Sequence, residues 1–285
     1  MTWQRWSGIM KAVAFEEKRL AKWAPPYIVQ IKYDGDRCKG YPLPQGGYLT
    51  LTSEENPYFS IPHIQKSLAD SGLDVILDGE LYSHNLNLEG GHELIHSIAS
   101  RTVNLHPRHS ELEYHIFDVE NKMPQIERLI ILEDIKSLAI PYVKIAPFWV
   151  CESLDEIKKV YDKVVKQGYE GIIIRHLHNA YEKKRSTFVM KFKPKQKDQY
   201  KIIGWNEEIS IHGIPKGRIG SLIMSSQSGD TFNVSAGLGG EEKARLWKIR
   251  DELHTFEAIV HYQHLTNKKI PKGTFNIEVL ENNNN

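Results

Sequence analysis

Tyr27-Ile28-Val29-Gln30-Ile31-Lys32-Tyr33-Asp34-Gly35-Asp36-Arg37 is the stretch on which the reading of the whole chain turns. Its first five residues, after the stiff Pro25-Pro26 pair, read as a short buried strand, and Lys32 stands at the strand end before an acidic-glycine turn and an arginine. Alone this is weak, because Asp-Gly steps mark ordinary turns and lysines are common beside them. Its weight comes from company. Asp78-Gly79-Glu80-Leu81, Phe117-Asp118, Glu170-Gly171 with Arg175, and Lys191-Phe192-Lys193 come after it in order, all with strand-like flanks.

Around these landmarks the pattern alternates between strands and helices. Val75 to Leu77 reads as a strand ending at Asp78-Gly79. Gln125 to Ala139 carries Ile126, Leu129, Ile130, Ile135 and Leu138 at helical spacing, and Pro141 stops it. Ser153 and Glu156 form a capping-box pattern ahead of Ile157, Val160, Tyr161, Val164 and Val165, with Gly168 at the helix end and the β-branched run Ile172-Ile173-Ile174 beyond. After about residue 198 the texture changes to short strand-like runs (Lys201 to Trp205, Ile219 to Met224, Thr231 to Val234, Ala258 to Tyr262) with one helical stretch from Glu241 to Leu253. A small β-barrel carrying one helix accounts for this half. The expected boundary lies in Phe192 to Tyr200, where Pro194 and a lysine run interrupt any regular element.

Composition bounds the function. With 285 residues, 40% hydrophobic and 26% charged, the chain has the make-up of one or two globular domains, not of a disordered or fibrous protein. Lys+Arg 37 against Asp+Glu 36 excludes a polycation, so an anionic partner requires local clustering. Two cysteines, Cys38 and Cys151, make neither a disulfide framework nor a zinc site. The N-terminal residues do not form a signal peptide and no 18-residue apolar run spans a membrane, so a cytoplasmic monomer is expected. Asn282 to Asn285 reads as a disordered tail.

On the ordered landmarks above, the chain resembles the covalent nucleotidyltransferases, and more closely the ATP-dependent DNA ligases of the minimal phage and bacterial kind. In the second half, Gly217-Arg218-Ile219-Gly220-Ser221-Leu222 and Phe232-Asn233-Val234-Ser235-Ala236-Gly237-Leu238 resemble that family's oligonucleotide-binding (OB) barrel. The resemblance implies an α+β, two-domain protein. An N-terminal α/β adenylation domain with antiparallel sheets (1–197) precedes a C-terminal OB-fold β-barrel (198–281), with the tail at 282–285 and the active site in the cleft between the domains. It also implies a reaction in which Lys32 takes AMP from ATP, hands it to the 5′-phosphate of nicked double-stranded DNA, and the 3′-hydroxyl displaces it. In that scheme Glu80 and Glu170 hold Mg²⁺ and nucleotide. Asp34 supports Lys32, Ile31 and Gly35 line the nucleotide site, Phe117 stacks on adenine, and Gln30 meets the base edge. Phe117 in its alternating run can equally be a core ring, and Gln30 can face solvent.

The chemistry is consistent with those roles. A lysine that forms a phosphoramidate attacks as a neutral amine, yet its reference pKa is about 10.4, so neighbouring cations, a metal or burial must lower it. Arg37, Lys191 and Lys193 supply cations, which also meet charge gathering on the departing pyrophosphate. Lys183 to Lys201 holds eight basic residues, Lys183, Lys184, Arg185, Lys191, Lys193, Lys195, Lys197 and Lys201, against Asp198. With Phe188, Met190 and Phe192 alternating, this run reads as a strand with a phosphate-binding face, a solvated charged face being the plain alternative. Arg218 is a further DNA-contact candidate. His92 and His96, at i and i+4, read as part of a surface helix with Leu94, Ile95 and Ile98 inward, since no third metal ligand is given by spacing.

Two places depart from the family pattern. Ser53-Glu54-Glu55-Asn56 stands where many members have Ser-Arg, and Lys272-Gly273-Thr274-Phe275-Asn276-Ile277 lacks a clear closing basic motif, leaving Lys268, Lys269 and Lys272 as candidate leaving-group cations. An NAD-dependent ligase is disfavoured, because it needs a nicotinamide-recognising domain before the lysine and a four-cysteine zinc site. An RNA capping enzyme or RNA ligase shares the lysine chemistry but not the text of the second half.

Overall fold

The strand expected at the head of the landmark runs from Tyr27 to Lys32, with all but its last residue buried. It lies inside a sheet ordered Lys11–Ala14, Arg185–Phe192, Gly171–His176, Tyr27–Lys32, Phe148–Cys151. Such an interior position calls for a continuous apolar run instead of an alternating one, which is why YIVQI lacks a polar face. The capped helix is Leu154–Lys166. The Ser153 hydroxyl accepts from the Glu156 backbone N–H at 3.2 Å, and the Glu156 carboxylate accepts from the Glu152 N–H at 2.8 Å. The helix packs on this sheet and hands the chain to the strand Gly171–His176.

The structure is a computed structural model that describes residues 8–194, 196–226, 228–262, 264–266, 269–274 and 276–280. Lys195, Lys268 and the tail at 282–285 lie outside the described residues.

A second sheet is ordered Tyr48–Leu51, Asp36–Pro42, Leu77–Tyr82, Glu113–Val119, Val143–Ile145, and only its last pair is parallel. Here the Asp78-Gly79 step is not the end of a strand, as its sequence implied, but lies inside one. A Cβ on Gly79 would stand 2.5 Å from the His115 carbonyl oxygen and 2.6 Å from the Tyr114 ring, so the glycine is required by the close approach of the neighbouring strand. Gly35 is similar: a Cβ there would meet the Leu81 carbonyl oxygen at 2.2 Å. The glycine that looked like a turn signal therefore lets the link between the sheets press against the strand carrying Glu80.

One core joins the two sheets, with Ile28, Val29, Leu77, Leu81, Tyr114, Ile116, Leu132, Ile172 and Ile174 buried together. Helix Gln125–Ser137 covers it with Leu129, Leu132 and Ile135, but Ile126 and Ile130, counted on the apolar face by spacing, are exposed. In their place the helix buries Arg128, whose guanidinium donates to Asp118 (2.7 and 3.2 Å), Gln125 (2.6 Å) and the carbonyls of Met123 and Asn179. At the far end of strand Arg185–Phe192, the Phe192 ring is stacked between Phe15 (4.5 Å) and Tyr161 (4.2 Å).

The chain divides into two compact units, residues 1–192 and 193–285. The lysine run does not form the long break expected of it, because a new strand, Gln196–Ile209, begins within it. In the second unit five antiparallel strands are ordered Thr231–Val234, Pro215–Ser225, Gln196–Ile209, Glu257–Tyr262, Asn276–Leu280. Among the described residues this pairing closes no ring, so it is an open sheet and not the closed barrel expected. The helix is Gly240–Lys248, shorter than the expected span, with a separate 3₁₀ turn at Leu253–Thr255. Tyr200, Ile202, Leu222, Met224, Val234, Leu246 and Val260 form the core of this unit.

Arg128→Met removes one partner of a fully buried ion pair, and should lower unfolding free energy in urea by about 3 kcal/mol or more. A loss below about 1 kcal/mol would mean that Asp118 is adequately neutralised by Arg175 alone.

Candidate active site

The link Tyr33–Gly35 crosses from one sheet of the first unit to the other, and a cavity of about 320 Å³ opens beside it. Of the residues singled out from sequence, Gln30, Ile31, Lys32, Arg37, Glu80, Phe117, Arg185 and Lys191 line it. Six basic residues (Lys11, Lys32, Arg37, Arg175, Arg185, Lys191) and one acidic residue (Glu80) stand in the lining, a balance that suits an anion. The Lys32 ammonium bonds to the carboxylate of Glu170, brought to it because Lys32 pairs with Gly171 across the sheet. Burial pulls the Lys32 pKa below its ordinary value, with Arg37 adding to the effect while Glu80 and Asp34 oppose it.

Arg37 is opposite in character. Its Nε and Nη2 donate to the two oxygens of Asp78 at 2.7 and 2.6 Å, and Nη2 also donates to the Met10 carbonyl at 3.2 Å. Burial disfavours its charge, but Asp78 more than compensates, and the guanidinium is held firmly protonated. For Asp78 burial pushes the carboxyl up, yet Arg37, Lys39 and Tyr181 bring it below the ordinary range. Across the ladder from Arg37 stands Glu80. Burial raises its pKa to about 7 against the pull of Arg37 and Lys32. Lys191 is lowered by burial and by Lys32 and Arg185.

The Phe117 ring borders the cavity with the Arg37 guanidinium 4.6 Å from its centroid and that of Arg175 at 5.5 Å. Gln30 does not face solvent, the second of its sequence readings. It is fully buried, its amide N–H donates to the Phe117 carbonyl at 3.0 Å, and its oxygen accepts from Arg175 at 2.6 Å. The amide thus braces the wall and has both ends engaged within the protein.

The basic run is divided in space. Arg185 and Lys191 reach the cavity, Lys183 pairs with Glu120 (2.5 Å), and Lys184 pairs with Glu182 (3.0 Å). Lys193 opens the second unit, Lys197 is exposed on its first strand, and Arg218 pairs with Glu208 at 2.6 Å. Sequence reasoning missed the parts played by Arg175 and Asp78, although both stood inside quoted motifs. Their roles depend on cross-strand register. Ser53, which drew attention only through its neighbour Glu54, also lines the cavity.

The site thus sets a lysine drawn toward neutrality among fixed cations in a two-sheet α/β unit. Residues 9–193 match the model of the ATP dependent DNA ligase domain, well over half of the chain, and the chain belongs to that family. The DNA ligase of African swine fever virus (isolate Tick/South Africa/Pretoriuskop Pr4/1996) is 26% identical over 194 residues, 63% of this chain and 44% of the viral protein. That of Enterobacteria phage T4 is 36% identical over 95 residues, 33% of this chain and 18% of the phage protein. The chain thus spans less than half the length of these curated relatives. Among solved structures, a Lig E DNA ligase superposes with a TM-score of 0.79 at 18% identity, covering 95% of this chain and 99% of that one. The bacteriophage T7 ligase in complex with ATP gives 0.57 at 16%, covering 94% and 97%. At these identities the likeness is one of fold.

Glu80 has a folded-state pKa of about 7, above its ordinary 4.5, so its contribution to stability is full below about pH 4.5 and is lost as pH rises through 7. Glu80→Gln should accordingly gain stability relative to wild type on going from pH 5 to pH 8, by an amount of order 3 kcal/mol at most. Thermal melts at the two pH values read this, and an unchanged difference would place Glu80 in a water-like environment.

Proposed function

We propose that the protein is an ATP-dependent DNA ligase that seals 3′-hydroxyl/5′-phosphate nicks through a lysine-AMP intermediate. The observation that carries this reading is Lys32 itself, its pKa lowered by burial in a cavity lined mostly by basic residues. The neutral Nζ attacks the α-phosphorus of ATP as the bond to pyrophosphate breaks. Arg37, locked by Asp78, and Lys191 lie where negative charge gathers and stabilise it without moving. Glu170, in contact with Lys32, is placed to take up the proton that the amine must shed. AMP then passes to the 5′-phosphate of the nick, and the 3′-hydroxyl displaces it.

Magnesium fits Glu80, the one carboxylate among the lining residues, since that ion keeps several waters and binds through one or two carboxylates together with substrate phosphates. When bound there it would neutralise phosphate charge. Glu170, the other expected ligand, is engaged by Lys32. Phe117 supplies the ring face for adenine. The second unit, an open antiparallel sheet with one helix, is read as the OB-fold domain, spanning about 198–281 after an adenylation domain of 1–197. Action as a monomer in a bacterial or phage-infected cytoplasm completes the reading. Among the described residues no helix is long and apolar enough to cross a membrane.

Incubation with α-labelled ATP should label the wild-type chain and not Lys32→Ala, and label persisting in that variant would remove Lys32 from the role. Because attack requires the neutral amine and burial lowers its pKa, the labelling rate should rise with pH and level off below the ordinary lysine value near 10.4. A rate still climbing steeply above that value would contradict a lowered lysine pKa.

Affinity for nicked duplex should fall with salt, by at least about tenfold between about 50 and 200 mM. Since Lys183 and Lys184 pair with acids of the same unit, Arg185→Ala should weaken binding more than Lys184→Ala does. The reverse order would show that those ion pairs open on DNA.

A further inference from the structure

Helix His84–Ala99 is interrupted at Gly91, whose backbone (φ 64°, ψ −163°) is not helical, and a fresh turn begins at His92. Ile95 and Ile98 fix the new segment by complete burial, leaving His92 and His96 on one face a turn apart. Their rings lie nearly parallel, 20° between planes and 5.6 Å between centroids. Both converge on Asp36. His92 Nε2 is 3.0 Å from Asp36 Oδ1, and His96 Nδ1 is 3.2 Å from Oδ1 and 2.9 Å from Oδ2. The third ligand that i, i+4 spacing could not reveal comes from a residue 56 positions before His92.

We infer that Asp36, His92 and His96 form a binding site for a borderline divalent transition metal such as Zn²⁺, separate from the nucleotide cavity. Among the described residues this is where three metal-competent side chains gather, with donor atoms all within 4.8 Å of one another. Tetrahedral zinc with ligands near 2.0–2.1 Å requires donors roughly 3.3 Å apart, close to the 2.9–3.2 Å that already separate each nitrogen from the Asp36 carboxylate. Two imidazoles and one carboxylate are the donor set of Zn²⁺, Co²⁺ or Ni²⁺, whereas Mg²⁺ prefers oxygen alone. The Asp36 side chain is 14% exposed and that of His96 58%, so the carboxylate is the enclosed ligand and the histidine side leaves a fourth position open to water. None of the three lines the cavity of Lys32. Asp36 nevertheless lies between Gly35 and Arg37, so a bound ion ties this helix to the segment that carries the nucleophile.

The test is metal binding by the full chain after chelator treatment, read by Co²⁺ absorption. One Co²⁺ per chain should give the visible bands of a tetrahedral site at micromolar metal, be displaced by Zn²⁺, and resist an approximately thousandfold excess of Mg²⁺. The double variant His92→Ala/His96→Ala should bind Co²⁺ at least about tenfold more weakly and lose the thermal stabilisation that Zn²⁺ gives the wild type. Paramagnetic broadening of the His92 and His96 ring resonances in the wild type provides a reading that does not depend on whether the variant folds. Absence of the Co²⁺ bands would overturn the inference and leave a hydrogen-bonded His-Asp-His cluster. Bands retained in the double variant, or broadening confined to other histidines, would overturn it equally by placing the ion elsewhere.

Discussion

The two-pronged pairing of Arg37 with Asp78 is the constraint on which the candidate active site depends. A largely buried guanidinium needs a counter-charge, and Asp78 supplies one in fork geometry from the adjacent strand. Asp78 is itself fixed by the Tyr181 hydroxyl at 2.5 Å, and the Arg37 carbonyl accepts from Tyr58 at 3.0 Å. The consequence is electrical. Arg37 keeps its proton because its partner is strong and buried, while Lys32, surrounded by partly offsetting charges, is tipped by burial toward the neutral form. One wall thus holds a permanent cation and an amine of lowered pKa side by side, which identical solvation could not produce.

A second buried network holds the opposite wall. Asp118 accepts from both Arg128 and Arg175, and Arg175 donates onward to Gln30, two residues before the lysine. Gln30 in turn donates to the backbone of Phe117. The strand ending in Lys32 and the strand bearing Phe117 belong to different sheets, and this chain of side chains fixes their separation. Networks of this kind are costly to bury unless every member is satisfied. Among their side-chain atoms, Gln125 Nε2 is without a hydrogen-bond partner.

Much of this was legible in the sequence, for identifiable reasons. The buried strand at 27–32, the Ser153 cap and the strand after Gly168 each rest on local chemistry that neighbours do not override. Misreadings occurred where a residue's meaning lay across the fold. Gly79 looked like a turn because nothing local announces a strand pressing on it, and Arg128 went unremarked because Asp118 and Gln125 reach it only in three dimensions. Gln30 and Asp36 likewise have partners 87 and 56 residues away. The second half was read as a closed barrel from strand number and spacing, but spacing carries no information on whether first and last strands meet.

The ring stack at Phe192 bears on how force travels along the backbone. Phe192 is the last residue of the first unit, and its ring is clamped between Phe15, which comes just after the sheet's edge strand, and Tyr161 on a helix. Aromatic contacts of this geometry add about 0.5–1.5 kcal/mol each beyond the surface they bury. Tension or torque arriving from residue 193 onward must first extract that ring before it can disturb Lys191, the adjacent residue on the strand. The stack works as strain relief on a cable, holding the end of the strand so that the charged wall of the cavity keeps its register.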